Sequence, residues 1–256
     1  MRLVAWEERW PELSVGFSTR FEGNLAFLPR DDDRVVIQRR QKLAEVLGFS
    51  FSRIPLAQPV HGTRIQAVDD QQRGRGNVDA QSAIPGTDGF STQRADTVLS
   101  LFFADCVPLY FYAPDRRVLA LAHAGWRGTT GNIATRMLKH LQQTWGIRPE
   151  TVWVAIGPSI GGCCYQVDAP VVEAVRSVWP DVTDTVCRPQ GEGRWLLDLK
   201  ELNQRLLMAG GVPTSHIWVS QYCTSCRHDL FYSYRKEGLQ AGRMLAWIGR
   251  KEGNGR

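Results

Sequence analysis

The sequence predicts an α+β domain built on a mixed sheet, and three observations carry that prediction. Short apolar runs bounded by turn residues recur along the chain, as at Val98 to Phe103 and Val118 to Ala122, and read as buried strands. Between them, apolar residues repeat at the spacing of a buried helix face, as in Ile133, Met137, Leu138 and Leu141. Strands and helices alternate without the strict rhythm of parallel crossover units, which favours mixed strand directions. The 256 residues, 43% hydrophobic and 22% charged, can fill a real core and are not disordered in bulk. No internal repeat or long linker divides them, so residues 1–256 are read as one domain.

In chain order, Val36, Leu43 and Leu47 line one face of a helix that Gly48 ends. The Gly/Pro-rich stretch from Asp69 to Gly89, with Arg73-Gly74-Arg75-Gly76-Asn77 at its centre, reads as an excursion from the core. The strand Val98 to Phe103 follows. Pro114-Asp115-Arg116-Arg117 then makes a tight turn that joins two antiparallel strands, with Pro114 opposite Arg117. The helix carrying Ile133 to Leu141 ends near Gly146, and Thr151 to Ile156 forms a strand. Asp168 caps a helix running through Trp179, and Asp198 caps one carrying Leu199, Leu202 and Leu206 up to Gly210. His216 to Val219 is the last clear strand.

Composition narrows the function classes. The chain has 31 Lys+Arg against 26 Asp+Glu, a net charge of +5, and its only block of like charges is Asp31-Asp32-Asp33. A nucleic-acid binder needs a clustered basic face, and none is visible, whereas a small anionic substrate suits the mild bias. The segment from Met1 to Trp10 carries acids where a secretory signal would be apolar. The longest apolar run, Val98 to Tyr112, is broken by Asp105 and Pro108 and falls short of the roughly 20 residues of a membrane helix. A soluble cytoplasmic protein is expected. Its six cysteines then read as thiols, ligands or nucleophiles, not as a disulfide framework.

The chemistry concentrates in Pro59-Val60-His61-Gly62, Ala104-Asp105-Cys106-Val107-Pro108-Leu109 and Ala122-His123-Ala124-Gly125-Trp126-Arg127-Gly128. The hairpin register sets Pro108 opposite His123, with Cys106 two residues along on the same face. Diagonal neighbours of this kind lie about 7–8 Å apart at most, within reach of one metal ion. Pro108 has no N–H to donate, so pairing should fail there and leave a notch beside Cys106. With His61 the donor set becomes two imidazoles and a thiolate. This is the pattern of an open catalytic zinc site, and it also suits a single copper. Nothing local in the sequence brings His61 to the other two.

Weaker signals surround these. Gly157-Pro158-Ser159-Ile160-Gly161 matches a nucleophile elbow, but no helix follows it, so a tight glycine-rich turn is the better reading. Cys223-Thr224-Ser225-Cys226 could form a zinc knuckle only with the adjacent pair Cys163-Cys164, and plain thiols are preferred there. Arg20, Arg127 and Arg235 sit in turn-like contexts from which a guanidinium can clamp a phosphate or carboxylate.

The motifs around Cys106 and His123, together with Ile156-Gly157-Pro158-Ser159-Ile160-Gly161, Phe231-Tyr232-Ser233-Tyr234-Arg235 and Gly242-Arg243-Met244, resemble those of the YfiH/YlmD family. The likeness runs in order from about Ser18 to Ile248. It implies two related halves whose mixed sheets pack face to face with helices outside, an α/β/β/α layering. It also implies one metal, zinc or copper, on His61, Cys106 and His123. The implied activity is phosphorolysis of purine nucleosides (adenosine, inosine or methylthioadenosine) with adenosine deamination beside it. One or more of Arg20, Arg127 and Arg235 would then hold phosphate, Trp126 would stack the base, and Asp105 is the candidate for the acid, a step with no clear owner. The alternatives are a hydrolase editing a peptidoglycan precursor, with Cys106 as nucleophile and His123 as base, and a single-copper polyphenol oxidase. A multicopper cluster needs about two or three histidines per ion, and the chain has five in all. This sequence departs from the family in a shortened Arg20-Phe21-Glu22-Gly23-Asn24-Leu25, in Arg39-Arg40, and in Gln58-Pro59-Val60-His61. These changes fall on the N-terminal wall of the implied pocket.

Overall fold

The computed structural model describes residues 1–251. Two sheets stack face to face between layers of helix. The smaller sheet has three antiparallel strands, with Met244–Arg250 between Leu13–Phe17 and Val98–Phe103. The larger runs Ile217–Val219, Trp153–Ile156, Val107–Ala113, Val118–Ala124, Gly89–Thr92, Ile65–Ala67. Its two edge pairs are parallel and its inner pairs antiparallel, so it is mixed as expected. The two sheets are unequal in size, three strands against six.

The alternation of side chains along the central hairpin explains the layering. Tyr110, Tyr112, Leu119 and Leu121 face the small sheet and meet Val15, Phe17, Leu101 and Ile248. Leu109, Phe111, Ala120 and Ala122 face the other way, onto the helices Ile133–Trp145, Ala169–Val178 and Leu199–Ala209. Strands buried on both faces are apolar throughout, which is why these read as continuous hydrophobic runs. The outer face of the small sheet is closed by the helix Asp33–Leu47, whose Leu43, Ala44 and Leu47 pack on Val98, Leu245 and Trp247. Asp32 caps that helix and Gly48, at φ +76°, ends it. One polar contact spans the two sheets: Tyr110 Oη donates to the Gly16 carbonyl at 2.8 Å.

Several boundaries differ from the sequence reading. The helix after Asp168 stops at Val178, because Pro180 opens a second helix, Pro180–Val186. The strand expected from Thr151 begins at Trp153, after a turn of 3-10 helix. A small sheet of Gln166–Asp168, Arg194–Leu197 and Cys187–Gly191 had no signal in the pattern. The stretch Asp69 to Gly89 is no excursion. Buried Arg40 donates to the carbonyls of Gly76 and Asn77, and Leu56 N–H to Arg75, which folds the stretch back as a wall.

The hairpin register is as expected, with Pro108 opposite His123, but pairing does not fail at the proline; it runs on to Val107 and Ala124. His123 N–H donates to Asp88 on the neighbouring strand side, and Pro108 C=O accepts from Gly157 on the other. Pro108 and His123 are thus a non-hydrogen-bonded pair, and the ladder loses nothing to the ring. Among the described residues no helix is long and apolar enough to cross a membrane.

Candidate active site

Cys106 ends a sharp turn that leads into the strand Val107–Ala113. Asp105 makes the turn at φ +86°, a conformation that a non-glycine residue holds only when its surroundings insist. They do. The buried Asp105 carboxylate accepts from Thr224 Oγ1 at 2.6 Å, Ser233 Oγ at 3.0 Å and the Arg235 N–H at 2.7 Å. Both oxygens are engaged, so its geometry is that of a tie between three segments.

His61 arrives from a loop, itself at φ +57°. The residue that brings it there is Asp88, which is fully buried. Its carboxylate accepts from the backbone N–H of His61 at 2.9 Å, Gly62 at 2.8 Å and Val60 at 3.3 Å. It also takes His123 Nδ1 at 3.2 Å. One side chain therefore fixes the His61 loop and orients His123, leaving Nε2 as the nitrogen available to a metal. A carboxylate behind a ligating histidine is the usual second partner of a metal site.

The ligand atoms of His61, Cys106 and His123 all lie within 4.8 Å of one another. Gly125 makes room for them: a Cβ there would stand 3.0 Å from Cys106 Sγ and 3.2 Å from His61 Cδ2. Burial alone would raise the Cys106 thiol, but His123 and His61 outweigh it and bring it down to about 6. Burial opposes charge on His123 too, yet Cys106 and Asp88 raise it to about 9. The metal-free pair is a thiolate beside an imidazolium. Two imidazoles and a ready thiolate, with an oriented second partner and an open side, fit a single zinc or copper ion.

This trio opens onto a cavity of about 1020 Å³, at the upper end of the roughly 300–1,000 Å³ usual for small-molecule sites. Four arginines line it: Arg40, Arg127, Arg235 and Arg243. Among the described residues the only lining carboxylate is Asp105, already occupied. Trp126, Tyr165, Tyr234, Phe27 and Phe102 supply flat faces. Arg127 lies 4.3 Å from the Trp126 ring centre, and Arg235 lies 5.0 Å from that of Tyr165. Arg20 does not line the cavity. It pairs with Glu237 at 2.5 Å and stacks 4.8 Å over Tyr232, behind the wall that carries Tyr234 and Arg235. Ser159 is buried in a tight turn without a following helix, as expected.

The family model described as multi-copper polyphenol oxidoreductase laccase matches residues 12–251. The chain belongs to this family. It is 47% identical over 229 residues to purine nucleoside phosphorylase YlmD of Geobacillus stearothermophilus, covering 90% of this chain and 84% of that protein. The crystal structure of YlmD from that organism superposes with a TM-score of 0.91, covering 94% of this chain and 93% of the other. Adenosine deaminase RL5, from an unknown prokaryotic organism, is 32% identical over 89% of this chain and 87% of its own length.

The family's multicopper description does not extend to the histidines here. His61 and His123 share one group, whereas His140 bonds Ser91, His216 stacks on Trp153 and His228 is exposed. Asp88, Arg40 and Arg243 are the site residues that sequence reasoning missed. An acid one residue before a strand carries no local signal. Arg40 was visible only as half of an unusual Arg-Arg pair in a helix.

Proposed function

We propose that the chain is a purine nucleoside phosphorylase whose reaction takes place in the cavity beside His61, Cys106 and His123. The observation that carries this reading is the cavity's lining among the described residues: four guanidiniums, no free carboxylate and several aromatic faces around one trio able to hold a metal. Guanidiniums bind phosphate with directional, charge-assisted hydrogen bonds. Aromatic faces take a flat purine. Names of relatives at up to 47% identity support the same reaction.

In this reading the nucleoside and phosphate bind together. A phosphate oxygen attacks C1′, the bond from C1′ to the purine nitrogen breaks, and the purine leaves after gaining a proton. Arg127 and Arg235, at the cavity's exposed edge, hold and orient phosphate, with Arg40 and Arg243 fixing charge deeper in. Trp126 stacks the base. Asp105 is a positioning residue that keeps Arg235 and the Cys106 turn in place, and Arg20 positions the same wall through Glu237. His61, Cys106 and His123 would hold zinc or copper, which supplies a Lewis acid for orienting substrate and, with adenosine, for deamination.

A second reading has its own observation. Cys106 and His123 form a thiolate–imidazolium pair, the arrangement of a cysteine hydrolase. Product analysis separates the two. Purified protein given inosine or adenosine should yield free base and ribose 1-phosphate only with phosphate present. Failure to cleave either nucleoside, with a covalent adduct trapped on Cys106, would favour the hydrolase. Quinone formation with oxygen uptake would favour a single-copper oxidase.

A further inference from the structure

A second group of metal-binding side chains lies outside the cavity. Cys163 and Cys164 stand on the turn after the strand Trp153–Ile156, and Cys223 and Cys226 on the loop after Ile217–Val219. Those strands are parallel neighbours, so the loops leaving their ends emerge side by side. A bridge between Ser159 and Cys223, with Thr224 N–H donating to Ser159 C=O at 3.0 Å, holds the loops together. This is what makes four cysteines meet although two are adjacent in sequence.

Their sulfurs all lie within 4.8 Å of one another. Cys226 Sγ is 3.5 Å from that of Cys163 and 3.4 Å from that of Cys164, and the adjacent pair is 3.8 Å apart. A disulfide would need about 2.05 Å. Four sulfurs each about 2.3 Å from a central ion form a tetrahedron with edges of about 3.8 Å. The spacings among Cys163, Cys164 and Cys226, 3.4 to 3.8 Å, are near the second, and Cys223 lies within 4.8 Å of each.

Two further features suit a negatively charged centre. Cys223 Sγ accepts the N–H of Gly161 at 3.2 Å and of Cys226 at 3.4 Å, as a ligating thiolate does. Lys200 is buried and, among the described residues, makes no ion pair. Its ammonium donates to the carbonyls of Ser220 (2.9 Å) and Tyr222 (3.1 Å), on the segment leading into Cys223. A buried ammonium calls for a nearby negative charge.

We propose that Cys163, Cys164, Cys223 and Cys226 bind a structural zinc ion. Soft thiolates in a tetrahedral set favour zinc, and four protein ligands leave no position for substrate. Each thiol releases its proton to solvent as its bond to zinc forms, so the centre carries two negative charges, offset in part by Lys200. The ion would clamp two loops that both reach the cavity. One carries Ile160 and Tyr165; the other carries Thr224, bonded to Asp105, and leads to Tyr234 and Arg235. Arg235 already ties them by donating to Gln166 C=O at 2.7 Å.

Elemental analysis of chains purified with a phosphine reductant tests this independently of the reaction proposed above. His123→Ala should keep about one zinc per chain, and Cys226→Ser should lose that zinc while retaining metal at the His61 centre. Cobalt(II) in the purified His123→Ala chain should give the intense sulfur-to-metal absorption of a tetrathiolate, whether or not Cys226→Ser folds. A His123→Ala chain without zinc would overturn the proposal. So would cobalt(II) in that chain giving no sulfur-to-metal absorption.

Discussion

Replacing Asp88 by Asn changes one atom of a side chain on which four donors converge, and the consequence can be worked from the structure. One oxygen accepts from His61 N–H and His123 Nδ1, the other from Gly62 N–H and Val60 N–H. An amide keeps one oxygen and turns an N–H₂ toward the other pair, so two buried donors lose their acceptor and meet a donor instead. Each unsatisfied buried group costs about 1–3 kcal/mol, which gives roughly 2–6 kcal/mol for the two in Asp88→Asn. Metal affinity should fall by about 10–100-fold, as it does when the partner behind a histidine ligand is lost. Burial alone would raise the Asp88 carboxyl, but His123 and the surrounding N–H groups hold it below its ordinary value. Such a group contributes stability that is present above its unfolded pKa and lost as pH falls through the lower, folded one. The difference between wild type and variant in metal-free protein should therefore be full at neutral pH and shrink in acid. Urea unfolding at several pH values, with zinc competition against a chelator, measures both effects. A variant within about 0.5 kcal/mol of wild type that binds zinc as tightly would refute the role given to Asp88.

Other expectations follow from single contacts. Arg127→Lys should raise the phosphate KM about tenfold, because a point charge replaces a planar fork. Arg20→Lys, remote from the cavity and holding a half-exposed ion pair, should leave phosphate dependence within about twofold. Phosphate titrations of both variants check the contrast. In metal-free protein, alkylation of Cys106 by iodoacetamide should switch on through about pH 6, well below the ordinary thiol value of 9.0; an onset near 9 would contradict the ion pair. Gly16→Ala should destabilise the fold by about 1–3 kcal/mol or more, since its Cβ would clash with the Trp247 ring and the Met1 carbonyl. Urea unfolding with an unchanged midpoint would contradict that packing.

Most of the architecture was legible because the central strands are buried on both faces and the helices carry one apolar stripe. The turn at Pro114 was enough to fix the register, and with it the approach of Cys106 to His123. Pro108 breaks no pairing because its backbone polar groups face the strand Trp153–Ile156 and not His123. His61 could be joined to the pair only by resemblance, because Asp88, which pulls it in, acts across the fold. Arg20 looked like a phosphate ligand in its short turn, and Glu237, far along the chain, claims it instead. The four clustered cysteines were legible as residues but not as a set. Their meeting depends on the parallel pair at one edge of the large sheet, whose two strands end side by side, and no local spacing shows that.

In the proposed reaction phosphate, not water, cleaves the nucleoside in this cavity. The most direct measurement is inosine cleavage in ¹⁸O-labelled water with unlabelled phosphate, with the sugar product analysed by mass spectrometry. Phosphorolysis predicts ribose 1-phosphate without label at C1′, formed in step with hypoxanthine and absent when phosphate is withheld. Labelled free ribose, released at the same rate with or without phosphate, would contradict it.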